Sequence, residues 1–156
     1  MSECKCDCSS NSKTVVFLAC SGGSNVGQIT NEVAKKMDVE GKGKFFCLAG
    51  VGGHISGMIA SVNGADDVVV LDGCTVACAK KIMENADIND YHYIVVTNLG
   101  IEKAHDFNIS DCELNLVTEE CYKLINAKME RSNDEKSMEN SNCCDSGSSS
   151  DCCCSC

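Results

Sequence analysis

An α/β fold built around a mostly parallel sheet is what this sequence predicts, and three observations predict it. Apolar runs rich in β-branched residues recur along the chain, a glycine-bearing turn follows each of the first three, and the next segment then places apolar residues at helical spacing. Strands alternating with helices of this length make a parallel sheet, because a chain returning to the same edge needs a crossover between strands. The 156 residues suffice for one hydrophobic core and one folded unit.

The elements follow in order. TVVFLAC (14–20) is a near-continuous apolar run, the pattern of a strand buried on both faces. SGGS turns the chain, and NVGQITNEVAKKM sets Val26, Ile29, Val33 and Met37 one helical turn apart. GKGKFFCLAG (41–50) carries a second, short strand, and VGGHISGMIASVNGA carries a short helix on Ile55, Ile59 and Val62. DDVVVLDG (66–73) is the third strand, TVACAKKIMENA (75–86) the third helix and YHYIVVTNLG (91–100) the fourth strand, before a last helix over 118–131. The expected architecture is a small three-layer, Rossmann-like sandwich with a mostly parallel sheet of four or more strands. Its domain spans 13–131, between a disordered Cys-rich N-terminal segment, 1–12, and a disordered Ser/Cys-rich tail, 132–156.

The ends are read as disordered from their composition. Of fifteen cysteines, nine lie there: Cys4, Cys6 and Cys8 in CKCDC, and Cys143, Cys144, Cys152, Cys153, Cys154 and Cys156 in NCCDSGSSSDCCCSC. The residues around them are Ser, Asn, Asp, Glu and Gly, too polar to repay the entropy of ordering a chain. Thiolates so closely spaced suit thiophilic ions, so these ends are candidates for extra metal binding or transfer.

Charge narrows the partners. A formal net charge of -10, a single arginine (Arg131) and no basic block argue against nucleic acid or an anionic membrane surface. The start, MSECKCDCSS, lacks the basic and apolar regions of a signal peptide, and no apolar stretch approaches the roughly 18 residues of a membrane span. The expected setting is the cytoplasm, where clustered cysteines serve as metal ligands or redox centres more often than as structural crosslinks.

The predicted topology gives the remaining cysteines a meaning. Right-handed crossovers put the carboxyl ends of all strands on one edge, where such folds bind ligands. Cys20 ends the first strand, Cys47 the second, and Cys74 follows the third. Cys78 lies one helical turn beyond Cys74, on the same face of a helix that starts near residue 75. Four thiolates at one edge match the tetrahedral sulfur set of Zn(2+), and an iron-sulfur cluster accepts the same set. Gly22, Gly23, Gly50, Gly52, Gly53 and Gly73 crowd the turns beside them, and helix N-termini would help offset the negative charge of the thiolates.

These letters carry a resemblance. LDGCTVACAKKIMENA, with Cys20 in ACSGGSNVG and Cys47 in FCLAGVGG upstream and TNLGIEK downstream, resembles the DGC domain family, named for the motif that here is Asp72, Gly73 and Cys74. The likeness covers roughly residues 13–125 and implies a zinc site on Cys20, Cys47, Cys74 and Cys78. It brings no reaction with it, and neither Cys-rich end belongs to the pattern.

Sharper enzymatic readings fail on the letters. CSGGSNVG lacks the Lys-Ser/Thr ending of a phosphate-binding P-loop, and the glycines of LAGVGGH are too weak a match for a dinucleotide fingerprint. A cysteine phosphatase or arsenate reductase loop needs an arginine where this chain has Val26. Asp72 is a candidate for a turn acceptor or a base, and the turn role is the expected one. His54 is the histidine best placed near the site, although exposure at a helix start is the plainer reading. Lys103 follows the fourth strand and reaches toward the same edge, while Cys112 and Cys121 are expected to be small apolar or half-exposed residues. Two function classes remain: a protein holding metal on four cysteines, and a thiol redox or sulfur-transfer enzyme with Cys74 as nucleophile and Cys78 or Cys47 resolving it.

Overall fold

The computed structural model describes residues 13–139 and is α/β as expected. Strand β1 (Val15–Ala19) leads into helix α1 (Asn25–Val39), and β2 (Lys44–Phe46) leads into two short helices, α2 (Leu48–Gly52) and α3 (Ser56–Asn63). Strand β3 (Asp67–Asp72) precedes α4 (Cys78–Asn85), and β4 (His92–Val95) runs into a 3-10 turn over Val96–Leu99. Helix α5 (Asp111–Glu139) follows. Two units divide the chain after Tyr122, the first holding the whole sheet. Within the described residues, the second consists of the continuation of α5.

All four strands are parallel and lie in the order β2-β1-β3-β4. The pairing sets Val16 beside Val68 and Leu18 beside Val70, so alternate side chains of neighbouring strands share a face. On one face Val16, Leu18, Val68 and Val70 pack with Leu48 and Val51 of α2, Val62 of α3, and Ala79 and Met83 of α4. Phe17, Val69 and Leu71 point the other way and are fully buried, as are Val26, Ile29, Val33 and Met37, the helical stripe of α1. Both faces of the sheet are therefore covered, which is why β1 and β3 read as unbroken apolar runs.

Six features of the elements differ from those expected, three of them for a visible local reason. Strand β2 is three residues long, and the single helix expected after it is two, broken where His54 takes left-handed backbone with φ 54°. Ile55, expected on the buried stripe, is 53% exposed at that break. Helix α4 starts at Cys78, not near 75, because the chain turns at Thr75 and Val76 and Ala77 is left-handed, with φ 60°. Cys74 consequently lies outside the helix, in the bend before it, and Cys78 is the first residue of α4. The fourth strand stops at Val95. The last helix begins at Asp111, where Ser110 and Glu113 cap each other: Glu113 N–H donates to Ser110 Oγ at 3.3 Å and Ser110 N–H to Glu113 Oε2 at 3.0 Å. That helix runs on to Glu139, past the expected domain end at 131. The expectations for 1–12 and for 140–156 lie outside the described residues.

Strand order decides where a ligand fits. From β1 the chain moves outward to β2, and from β3 it moves outward in the opposite direction to β4. Crossovers of one hand running in opposite directions leave α1 and α4 on opposite faces, so a crevice opens between the carboxyl ends of β1 and β3.

Candidate functional site

That crevice is a pocket of about 180 Å³ lined by the turn after β1 (Cys20, Gly22, Gly23, Ser24), the turn after β3 (Gly73, Cys74, Val76, Ala77, Cys78) and Lys103. The backbone builds it by close approach. A Cβ on Gly73 would lie 2.8 Å from Gly27 N and from the Val26 carbonyl carbon, and one on Gly27 would lie 2.6 Å from the Gly22 carbonyl oxygen. Only residues without side chains let the start of α1 and the DGC turn touch in this way.

Three of the four expected thiols meet here. Cys20 is half-buried, and its Sγ accepts the Gly73 N–H at 3.3 Å and lies 3.7 Å from Thr30 Oγ1. Cys74 is half-buried and Cys78 exposed, and both line the pocket. Cys47 is exposed at the start of α2, at the end of the strand next to β1 and away from the pocket lining. All six described cysteines are free thiols.

The electrostatics of the pocket oppose the acidity of the chain. Lys103 Nζ lies 3.5 Å from Cys74 Sγ, and the N-termini of α1 and α4 add their partial positive charge. Asn25 holds Lys103 there: its Nδ2 donates to the Glu102 carbonyl at 2.9 Å, its Oδ1 accepts the Ala104 N–H at 2.7 Å, and its own N–H donates to the Ala104 carbonyl at 3.1 Å. Ser24 caps α1 by accepting the Gly27 N–H at 3.3 Å.

Asp72 also lines the pocket and is engaged as an acceptor, the turn role expected of it. It is 1% exposed, and its Oδ1 accepts the Ala79 N–H at 2.9 Å. Its Oδ2 accepts the Lys80 N–H at 3.0 Å and the Tyr93 hydroxyl at 3.0 Å. It is the cap of α4, delivered from six residues upstream of that helix, and so it fixes the approach of the chain to Cys78. Burial and then the Asp72 carboxylate push the Tyr93 phenol well above its usual range. Lys80 extends over the Tyr93 ring at 5.6 Å.

The other candidates lie elsewhere. His54 is exposed at the left-handed break, and His105 is exposed in the loop after the 3-10 turn. His92 Nε2 lies 3.1 Å from Asp67 Oδ1 at the start of β4, at the end of the sheet away from the pocket. Cys112 is exposed in the first turn of α5, and Cys121 is buried, which pushes its thiol up to about 12. Tyr93, Thr30 and Asn25 escaped the reading of the letters, because each acts through a partner distant in the sequence that no local spacing announces.

The donor set suits a thiophilic ion in kind: three thiols, with a lysine and two helix starts to offset their charge. Among the described residues, however, no three of His, Cys, Asp and Glu are grouped so as to hold a metal ion. None of the described helices is long and apolar enough to cross a membrane.

Comparison with known proteins agrees with the motif. The sequence model of the DGC domain matches residues 16–125. The chain is also similar to the anaerobic and virulence modulator AnvM of Pseudomonas aeruginosa, with 30% identity over 98 residues, which is 63% of this chain and 72% of that protein. No solved structure matches it.

Proposed function

The chain belongs to the DGC domain family, and from that premise we propose that it is a metal-binding protein whose pocket takes Zn(2+) on the thiolates of Cys20, Cys74 and Cys78. Cys47, on the neighbouring strand end, is the fourth donor in this reading. The observation that carries it is the gathering of three motif thiols, from two separate turns, in one pocket at the switch point of the sheet. A relative named as a modulator fits a binding role without requiring a reaction. The reading rests on donor chemistry, and the ion itself would complete the shell, as happens where metal binding and local ordering are coupled.

Lys103 beside Cys74 favours a second reading, in which Cys74 is the nucleophile of a thiol redox or sulfur-transfer reaction. An ammonium group against the sulfur serves such a thiolate as well as it serves a metal thiolate.

Metal content and the absorption spectrum separate these readings, measured on protein purified without added metal. The comparison needs the native chain, a chain with the nine end cysteines changed to Ser, and that chain with Cys74→Ser added. One colourless metal equivalent retained without the end cysteines and lost with Cys74→Ser supports the pocket site. Visible absorption points to an iron-sulfur cluster, and a folded, metal-free chain favours the thiol reading.

A further inference from the structure

The turn between Cys74 and Cys78 has a conformation that metal binding alone does not call for. The chain bends at Thr75 and Val76, the Ala77 N–H closes the bend on the Cys74 carbonyl at 3.1 Å, and Ala77 then takes left-handed backbone with φ 60° and ψ 46°. A hydrogen-bonded turn of this kind brings its first and fourth residues, here Cys74 and Ala77, within about 7 Å, and Cys78 follows directly, so that both thiols line one pocket. A disulfide spans Cα atoms roughly 4.4–6.8 Å apart, a separation that the close ends of such a turn bring within reach. An ordinary helical start near 75 would have spaced the two thiols along a helix face instead. Left-handed backbone is unfavourable for alanine, so the bend before Cys78 is held by its surroundings.

We infer that Cys74 and Cys78 are a reversible dithiol-disulfide pair, oxidised by hydroperoxides, and that closing it takes two of the pocket's three thiols away from the metal. The exposed Cys78 is the sulfur that meets the oxidant. Its thiol attacks the O–O bond of hydrogen peroxide, giving a sulfenic acid and one water. The Cys74 sulfur then attacks the Cys78 sulfur, the S–S bond forms, and the sulfenic oxygen leaves as a second water. Two thiols have lost two electrons and two protons, and the peroxide has taken them up. Cys20 is not the partner, because its Sγ is engaged by the Gly73 N–H and lies beside Thr30. Cys47 is outside the pocket lining.

The effect on metal rests on the reading of the previous section, whereas the bridge does not. The test uses the full chain, reduced and freed of metal, then treated with hydrogen peroxide, blocked with iodoacetamide and digested with trypsin. Cleavage after Lys44 and Lys80 leaves Cys47, Cys74 and Cys78 together in residues 45–80. The inference expects this peptide to lose the mass of two hydrogens and to carry an alkyl group on Cys47 alone, with all three thiols alkylated once dithiothreitol is added first. In a Cys78→Ser chain the loss of two hydrogens disappears. Cys74 and Cys78 both remaining alkylatable at a dose that oxidises other thiols of the chain overturns it, as does a bridge from Cys74 to Cys20 or Cys47, or direct passage of Cys78 to the sulfinic acid. Zinc binding is read in parallel on undigested chain with the end cysteines changed to Ser, to which zinc is added after reduction or after peroxide treatment: equal binding before and after bridging overturns the effect on metal, and a bridge without zinc binding in the reduced chain refutes the metal reading and leaves the redox pair standing.

Discussion

Asn25 and the backbone of Ala104 are joined twice, the side-chain Oδ1 accepting the Ala104 N–H at 2.7 Å and the Ala104 carbonyl accepting the Asn25 backbone N–H at 3.1 Å. This clasp brings Lys103 to the pocket from a loop that follows β4. Asn25→Ala leaves two part-buried backbone groups, the Glu102 carbonyl and the Ala104 N–H, without that partner and is expected to cost about 1–2 kcal/mol in thermal or denaturant unfolding. Lys103→Met, at an exposed position, is expected to stay within about 0.5 kcal/mol of the native chain. Both variants should lower the alkylation rate of Cys74 by iodoacetate relative to neutral iodoacetamide, because Lys103→Met removes the ammonium that attracts the anionic reagent and Asn25→Ala releases the loop that holds it there.

Asp72 is expected to behave as a cap. Asp72→Ala strips acceptors from Ala79 N–H, Lys80 N–H and the Tyr93 hydroxyl, and should destabilise the chain by about 2–4 kcal/mol. Tyr93→Phe removes one of the three bonds and should cost about 1 kcal/mol. Denaturant unfolding of the two variants checks the order.

The Tyr93 phenol also predicts a pH dependence. Its folded pKa is raised above the usual 10 by burial and by Asp72, so the protonated form is favoured in the native state. A raised folded value contributes stability that is fully present below the unfolded pKa and is lost as pH rises through the folded one. The stability difference between the native chain and Tyr93→Phe should therefore hold up to about pH 10 and shrink above it. A difference that grew with pH above that point would contradict the assignment.

Gly73→Ala tests the close approach that forms the pocket. The new Cβ would meet the backbone of Val26 and Gly27 at 2.8 Å, and neither neighbour is a side chain that can swing away. A loss of about 1–3 kcal/mol is expected, together with a weaker pocket metal site, because the turn carrying Cys74 has to move. Calorimetry and zinc titration of the chain with serine ends provide the check.

Parts of this structure were legible in the letters for a clear reason. β1 and β3 are central strands covered on both faces, so their apolar runs are continuous, and α1 writes its buried stripe as Val26, Ile29, Val33 and Met37. The same logic put Cys20, Cys74 and Cys78 at one edge. What escaped depended on single backbone dihedrals. His54 and Ala77 are not residues that announce left-handed backbone, yet the first divides a helix in two and the second delays α4 to Cys78. The start of α5 was written in the sequence as the capping box Ser110-Asp-Cys-Glu113, seven residues before the apolar pattern suggested it. Asp72 could not be read as the α4 cap, since a cap is expected next to the helix it serves.

X-ray absorption at the zinc edge, on the chain with serine ends loaded with one equivalent of Zn(2+), tests the metal reading most directly. The account predicts a first shell dominated by sulfur at about 2.3 Å, lost when Cys20 and Cys74 are both changed to Ser. A shell of nitrogen and oxygen alone, or a sulfur shell indifferent to those two changes, would contradict it.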